Sequence, residues 1–131
     1  MSRNWKEDDL QAAQVRYLEA RRSSVRDVMF CAIPNAAQMI TSRGKQNFRL
    51  SQYLRGQGLV PGAPDLIVWK RGKALYIENK VKGRTQSNAQ RAFEVGLKAL
   101  GHSYFVITAE TPNDAITQLE SLLGQNHSGA D

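Results

Sequence analysis

The 131-residue sequence holds one cysteine, two histidines and no apolar run approaching a membrane span. A single thiol cannot form an internal disulfide. Cys31 sits in the apolar run Val28-Met29-Phe30-Cys31-Ala32-Ile33 and reads as a small buried hydrophobe, since no histidine lies near in sequence to activate it as a nucleophile. Neither His102 nor His127 has a metal-ligand spacing to another His or Cys, which leaves both as surface residues. The stretch Met1-Ser2-Arg3-Asn4-Trp5-Lys6-Glu7 lacks an apolar signal region, so the expectation is a cytoplasmic, intracellular protein with no membrane partner. No Gly-rich phosphate cradle occurs, which argues against a nucleotide cofactor, and internal repeats are absent.

What remains is length for one domain with a real core, expected over residues 1–123, followed by a polar tail over 124–131 with nothing to bury. The net charge of +6, from 18 basic and 12 acidic residues, suits a polyanionic partner. Its distribution says more than its sum. Arg21-Arg22, Lys70-Arg71-x-Lys73 and Lys82-x-Arg84 fall at the ends of expected elements, and two of these clusters flank a pair of carboxylates in sequence. Solubility is the competing explanation for such clusters.

Those carboxylates belong to the stretch that organises the chain. Residues 62–80 read as two apolar, β-branched strands joined at Arg71-Gly72, a turn with Gly at its second central position. A turn centred there pairs Trp69 with Ala74, Ile67 with Tyr76 and Asp65 with Glu78. Opposed side chains in an antiparallel pair have Cβ atoms about 5 Å apart, where two like charges are destabilising unless a cation lies between them. Lys80, two residues beyond Glu78, projects from the same strand face. An isolated Glu-x-Lys is ordinarily a solvated ion pair. Here Asp65 follows the turn Pro61-Gly62-Ala63-Pro64 at the matching hairpin position, which gathers Asp65, Glu78 and Lys80 at one corner.

Around this hairpin the expected order is α, β, α, β, β, α, β, α. A first helix starts near Asn4 and fades after Arg22, with Leu10, Ala13, Tyr17 and Leu18 at helical spacing. A buried strand follows over Val28 to Ile33, closed by Pro34. Asn35 to Gln38 reads as a loop, and a second helix spans about Lys45 to Arg55 with Phe48, Tyr53 and Leu54 inward. Ser87 caps a third helix whose apolar face runs from Ala89 to Leu100, and Gly101 ends it. The strand Ser103 to Ile107 can then lie parallel to the one ending at Lys80 through a helical crossover. Thr111 caps a last helix carrying Ala115, Ile116, Leu119, Leu122 and Leu123. The fold class is α/β, a small mixed sheet flanked by helices.

Pro64-Asp65 followed by Glu78-x-Lys80 on a hairpin after an N-terminal helix resembles the PD-(D/E)XK (restriction-endonuclease-like) core. More narrowly, Ile33-Pro34-Asn35, Gly58-x-x-Pro61-Gly62-x-Pro64-Asp65-Leu66, Ile77-Glu78-x-Lys80 and Ser87-x-x-Gln90 together resemble the virus-type replication-repair nuclease domain, VRR-NUC, over Glu7 to about Leu123. The resemblance implies a DNA endonuclease of replication, repair or recombination in which Asp65 and Glu78 hold Mg²⁺ or Mn²⁺. It further implies that Lys80 positions or activates water, that Gln90 assists, and that Glu7 completes the site. It also implies a homodimer acting on flaps or four-way (Holliday) junctions. Asn35, Lys70, Arg71, Lys73, Lys82 and Arg84 are the candidate DNA contacts.

The residue chemistry agrees with these roles, because phosphodiester hydrolysis needs an activated water and relief of developing negative charge, which a hard, oxygen-ligated cation supplies. Lys80 either stays charged to stabilise the transition state or loses its proton to act as a base. Asn4-x-x-Glu7 and Ser87-x-x-Gln90 also fit the capping box, so each acceptor has a competing role at its own helix. Asn79 departs from the family pattern by placing an amide where relatives carry an apolar residue; it is then exposed or paired at a subunit contact, and its carbonyl remains available to the metal. The alternative function is a nucleic-acid-binding module that keeps the fold without the chemistry.

Overall fold

A computed structural model of the chain describes residues 4–34 and 48–124. Asn35, the start of the expected second helix and the expected tail from Gln125 lie outside them. In chain order the elements are α1 (Glu7–Ser24), β1 (Val28–Ala32), α2 (Phe48–Gly56), β2 (Leu66–Lys70), β3 (Lys73–Val81), α3 (Asn88–Ala99), β4 (Ser103–Ala109) and α4 (Pro112–Gly124). The strands form one four-stranded sheet in the order β1-β2-β3-β4. The first three are antiparallel, and β4 runs parallel to β3 after the α3 crossover. No helix among the described residues is long and apolar enough to cross a membrane.

Strand alternation sorts the side chains between two faces. Leu66, Val68, Leu75, Ile77, Ile107 and Ala109 share one face and form the core with Leu10 and Leu18 of α1 and Ala115, Leu119 and Leu123 of α4. Each of the fully buried leucines contributes roughly 2 kcal/mol by leaving water. The sequence carries these helices to the sheet for simple reasons. The first turn of α1 is acidic (Glu7, Asp8, Asp9) and its last turn basic (Arg21, Arg22), matching the helix dipole. At α4 the Asp114 amide donates to the Thr111 hydroxyl at 3.1 Å, the expected cap.

Several expectations change. The N-terminal cap of α1 is Lys6, whose amide donates to Asp9 Oδ2 at 2.9 Å, so Asn4-x-x-Glu7 is not the box that starts this helix. The helix also continues past Arg22 to Ser24 and closes with Arg26 at φ 63°, a left-handed position that costs a non-glycine residue about 1 kcal/mol. In α2 the buried residue is Ser51; Tyr53, 200° further round, points outward with Phe48.

The strand β1 is not buried either. It lies at the sheet edge, with only Val28 enclosed, and its alternation turns Cys31 to the second face, where the thiol is exposed. That face is thinly covered because α3 lies toward β4. Among the described residues α3 encloses no side chain fully: Phe93, Glu94 and Leu97 make a half-buried seam, while Ala92, Val95 and Leu100 stay exposed.

Candidate active site

The hairpin register is the expected one as far as it goes: Trp69 pairs with Ala74, Ile67 with Tyr76 and Leu66 with Ile77. It stops one pair short of the carboxylates. Asp65 lies just outside β2, where its amide donates to the Ile77 carbonyl and its own carbonyl accepts from Ile33, both at 2.9 Å. Asp65 and Glu78 are therefore not a ladder pair. Asp65 is instead bent toward the next strand residue, and its Oδ2 accepts the Asn79 amide at 2.8 Å. Burial is the main force on this carboxyl and lifts its pKa to about 6; the Asn79 N–H opposes the rise, and the nearby Glu78 charge adds to it.

The bend depends on the preceding turn. Gly62 has φ +87° and packs so closely on the start of α3 that a Cβ there would overlap the Ala89 carbonyl group. Only glycine meets both demands. At that same helix start Ser87 and Gln90 form the capping box, with Gln90 Oε1 accepting the Ser87 amide at 2.8 Å and Ser87 Oγ accepting the Gln90 amide at 3.1 Å. The Gln90 side chain is thus occupied at its own helix while still lining the cleft beside Asp65.

That cleft has a volume of about 490 Å³ and lies where α1, the end of β1, the end of β3 and the start of α3 converge. Glu7, Asp8 and Asp65 line it with a single cation, Lys80. Glu7 faces inward: its Oε1 is 4.0 Å from Lys80 Nζ, and its Oε2 accepts from the Val81 amide at 3.4 Å. Asn79 also contributes to the wall, but its side chain points away into the core, where it is fully partnered by Gln14 within the same chain. It is neither exposed nor in need of a subunit contact.

Glu78 lies beneath the cleft, wholly buried on the second face of the sheet. Its Oε1 accepts a short hydrogen bond from the Tyr104 hydroxyl. Burial, and then this bond, holds the Tyr104 pKa well above its usual value, so the phenol remains a donor. The other oxygen, Oε2, is buried with no partner. A carboxylate oxygen left that way costs about 1–3 kcal/mol or more, unless a cation or proton satisfies it.

These donors fit a hard divalent cation. All are oxygens, one is an orphan, and a cleft with three acids against one ammonium attracts positive charge. No group of three or more His, Cys, Asp or Glu among the described residues is arranged to hold a metal, so a cation here would keep much of its water, as Mg²⁺ does with one or two carboxylates.

The candidate DNA contacts divide. Lys82, paired with Glu110 at 2.7 Å, and exposed Arg84 follow β3 at the cleft end, whereas Lys70, Arg71 and Lys73 surround the hairpin turn at the other end of the sheet. The seven residue steps from Lys73 to Lys80 span roughly 23 Å. Proximity to the carboxylates in sequence is therefore not proximity in space for that cluster. Lys70 is further occupied by the Leu123 carbonyl at 2.8 Å. Asn35 lies outside the described residues.

Two residues essential to this geometry escape a reading of motifs. Tyr104 is hidden in an apolar strand and needs the β3–β4 register, which places it beside Tyr76 and one pleat from Glu78. Gln14 left a usable signal: it interrupts the Leu10–Leu18 stripe at intervals of four, on the face α1 buries. No family model and no curated protein matches the sequence.

Proposed function

We propose that this chain is a metal-dependent DNA endonuclease with a PD-(D/E)XK core of the VRR-NUC type, hydrolysing phosphodiester bonds in branched DNA. The observation that carries the reading is the acid-lined cleft beside a buried carboxylate, Glu78, whose second oxygen has no partner. Asp65, Glu78 and the main chain of Asn79 would hold Mg²⁺ or Mn²⁺, with Glu7 at the opposite wall. A cation bound there supplies neutralisation of phosphate charge and an activated water. The protein's own contribution is positional. Asn79 N–H fixes one Asp65 oxygen, Tyr104 fixes one Glu78 oxygen, and Lys80 presents an ammonium to the cleft for a phosphate oxygen or for the attacking water. Exposed Arg84, following β3 at the cleft end of the sheet, adds positive charge for the phosphate backbone.

A homodimer suits a branched substrate with two strands to cut. The outward face of α3, with exposed Ala92, Val95, Ala99 and Leu100, supports a second copy as its cover.

A second reading, binding without chemistry, has its own support in Glu78 lying below the cleft wall rather than in it. Cleavage assays on duplex, single-stranded, flap and four-way DNA with Mg²⁺, Mn²⁺, Ca²⁺ or chelator separate the two. The nuclease reading expects cutting with Mg²⁺ or Mn²⁺, loss of cutting with binding retained in Asp65→Asn and Glu78→Gln, and a rate at least about a hundredfold lower in Lys80→Ala. Binding to every substrate with no cutting under any metal would establish the second reading instead.

A further inference from the structure

At the end of the sheet remote from the cleft, α1, β1 and the β2–β3 turn enclose an open groove of about 1240 Å³. Arg22, Arg26, Lys70, Arg71 and Lys73 line it against one acid, Asp27. That acid is already neutralised, since its two oxygens accept from Arg21 at 2.8 and 2.6 Å and Lys70 approaches at 3.9 Å. Arg21 and Asp27 shift each other accordingly, the carboxyl held below its usual range mainly by the guanidinium. The groove is therefore strongly positive. Arg26 adds a second sign, because it keeps an arginine at the left-handed φ of 63° where glycine would be unstrained.

An exposed aromatic, Trp69, lines the same groove from the sheet face opposite Lys70 and Lys73. Trp69 is 42% exposed and pairs across the sheet with Met29 on one side and with Ala74 on the other. Alanine is too small to cover an indole. An uncovered aromatic face bordered by cations is how proteins take unpaired bases, with stacking on the ring and phosphates along the positive wall.

We propose that this groove binds a single-stranded nucleic-acid segment, with a base stacked on Trp69 and phosphates on Arg22, Arg26, Arg71 and Lys73. Binding stands independently of any chemistry. Its use in selecting substrate rests on the nuclease reading: with the groove roughly 23 Å from the cleft, a DNA having its cut site about seven base pairs from an unpaired segment would engage both.

The test is run on the full chain in chelator, where no cutting occurs. Fluorescence of a Trp5→Phe background, in which Trp69 is the remaining tryptophan, is titrated with oligo(dU), oligo(U) and blunt duplex, and anisotropy of labelled oligonucleotides gives the Kd. Quenching by either single strand, a loss of roughly tenfold in single-strand affinity in Trp69→Ala and its recovery in Trp69→Phe support the groove. So does a fall of about 1.4 in the salt slope when Arg71 and Lys73 are both changed to Ser. Preference between oligo(dU) and oligo(U), which differ in the sugar alone, assigns the sugar. Absence of quenching, unchanged affinity in a folded Trp69→Ala, or conversion of a dimer to monomer by that substitution overturns the proposal, the last by showing that Trp69 faces a second copy. Single-strand binding with no cleavage of any DNA substrate in Mg²⁺ or Mn²⁺ would sink the nuclease reading alone; cleavage without quenching would sink the groove alone.

Discussion

Gln14 and Asn79 exchange two amide hydrogen bonds, 2.9 and 2.7 Å long, with both side chains buried beneath the cleft. The Gln14 amide also reaches the Ala115 carbonyl at 3.3 Å, so the pair ties α1, β3 and α4 together below the residue whose N–H holds Asp65. Removing one partner strands the other. Gln14→Leu or Asn79→Leu alone should each cost about 2–3 kcal/mol, while the double substitution costs less than the sum, since two apolar groups leave nothing unsatisfied. Urea denaturation of the four proteins in the cycle measures this; additive losses would mean the amides are not paired.

Tyr104→Phe removes the donor to Glu78 Oε1 and leaves neither carboxylate oxygen with a partner. Stability should fall by about 1–3 kcal/mol in chelator. Metal binding, followed by thermal shift against Mn²⁺ concentration, should weaken as well, because an unanchored carboxylate is a less ordered ligand. An unchanged metal response would remove Tyr104 from the site and leave it a core residue.

The raised pKa of Asp65 makes the metal-free fold sensitive to pH. Between its usual value of 3.8 and about 6 the folded protein keeps a proton that the unfolded chain has released. Stability therefore falls as pH rises through that window and is level above it, with a total loss on the order of 3 kcal/mol before solvent screening. Asp65→Asn should flatten this fall, equal the wild type below about pH 4, and exceed it at about pH 8. Added Mg²⁺ or Mn²⁺ should stabilise the wild type and do little for the variant. Denaturation curves across pH, with and without metal, decide it; an equal metal-induced shift in both proteins would place the ion elsewhere.

Gly62→Ala should cost more than its single methyl suggests. The new Cβ would overlap the Ala89 carbonyl and demand a positive φ, so either the Pro61–Pro64 turn or the first turn of α3 must move. A loss of about 2 kcal/mol or more is expected, with disturbance of Gln90 and Asp65 visible in amide exchange. A Gly101→Ala control, also at positive φ but with no atom within 4 Å, isolates the steric part.

The elements were legible because each carries a local rule: Thr111 as a cap, Gly72 in a two-residue turn, Leu119 and Leu123 on one helical stripe. The hairpin register followed from that turn as far as Leu66–Ile77. What exceeded the sequence was long-range. The bend at Asp65 is set by Gly62 against α3, and the Glu78 anchor comes from Tyr104, 26 residues away. Periodicity also overstates burial when no second layer arrives. Phe48, Tyr53 and Leu100, expected inward, stay exposed among the described residues, and Cys31 is exposed because β1 is an edge strand.

That exposed Cys31 gives the chain a built-in reporter position. It is the sole thiol in the sequence, and it lies on a five-residue strand whose start, Val28 and Met29, borders the basic groove and whose end, Ala32, borders the acidic cleft. A maleimide dye attached there needs no engineered cysteine and faces solvent on the side of the sheet opposite the core. One label, at one native atom, can then register occupancy at either end of β1 by its change in environment.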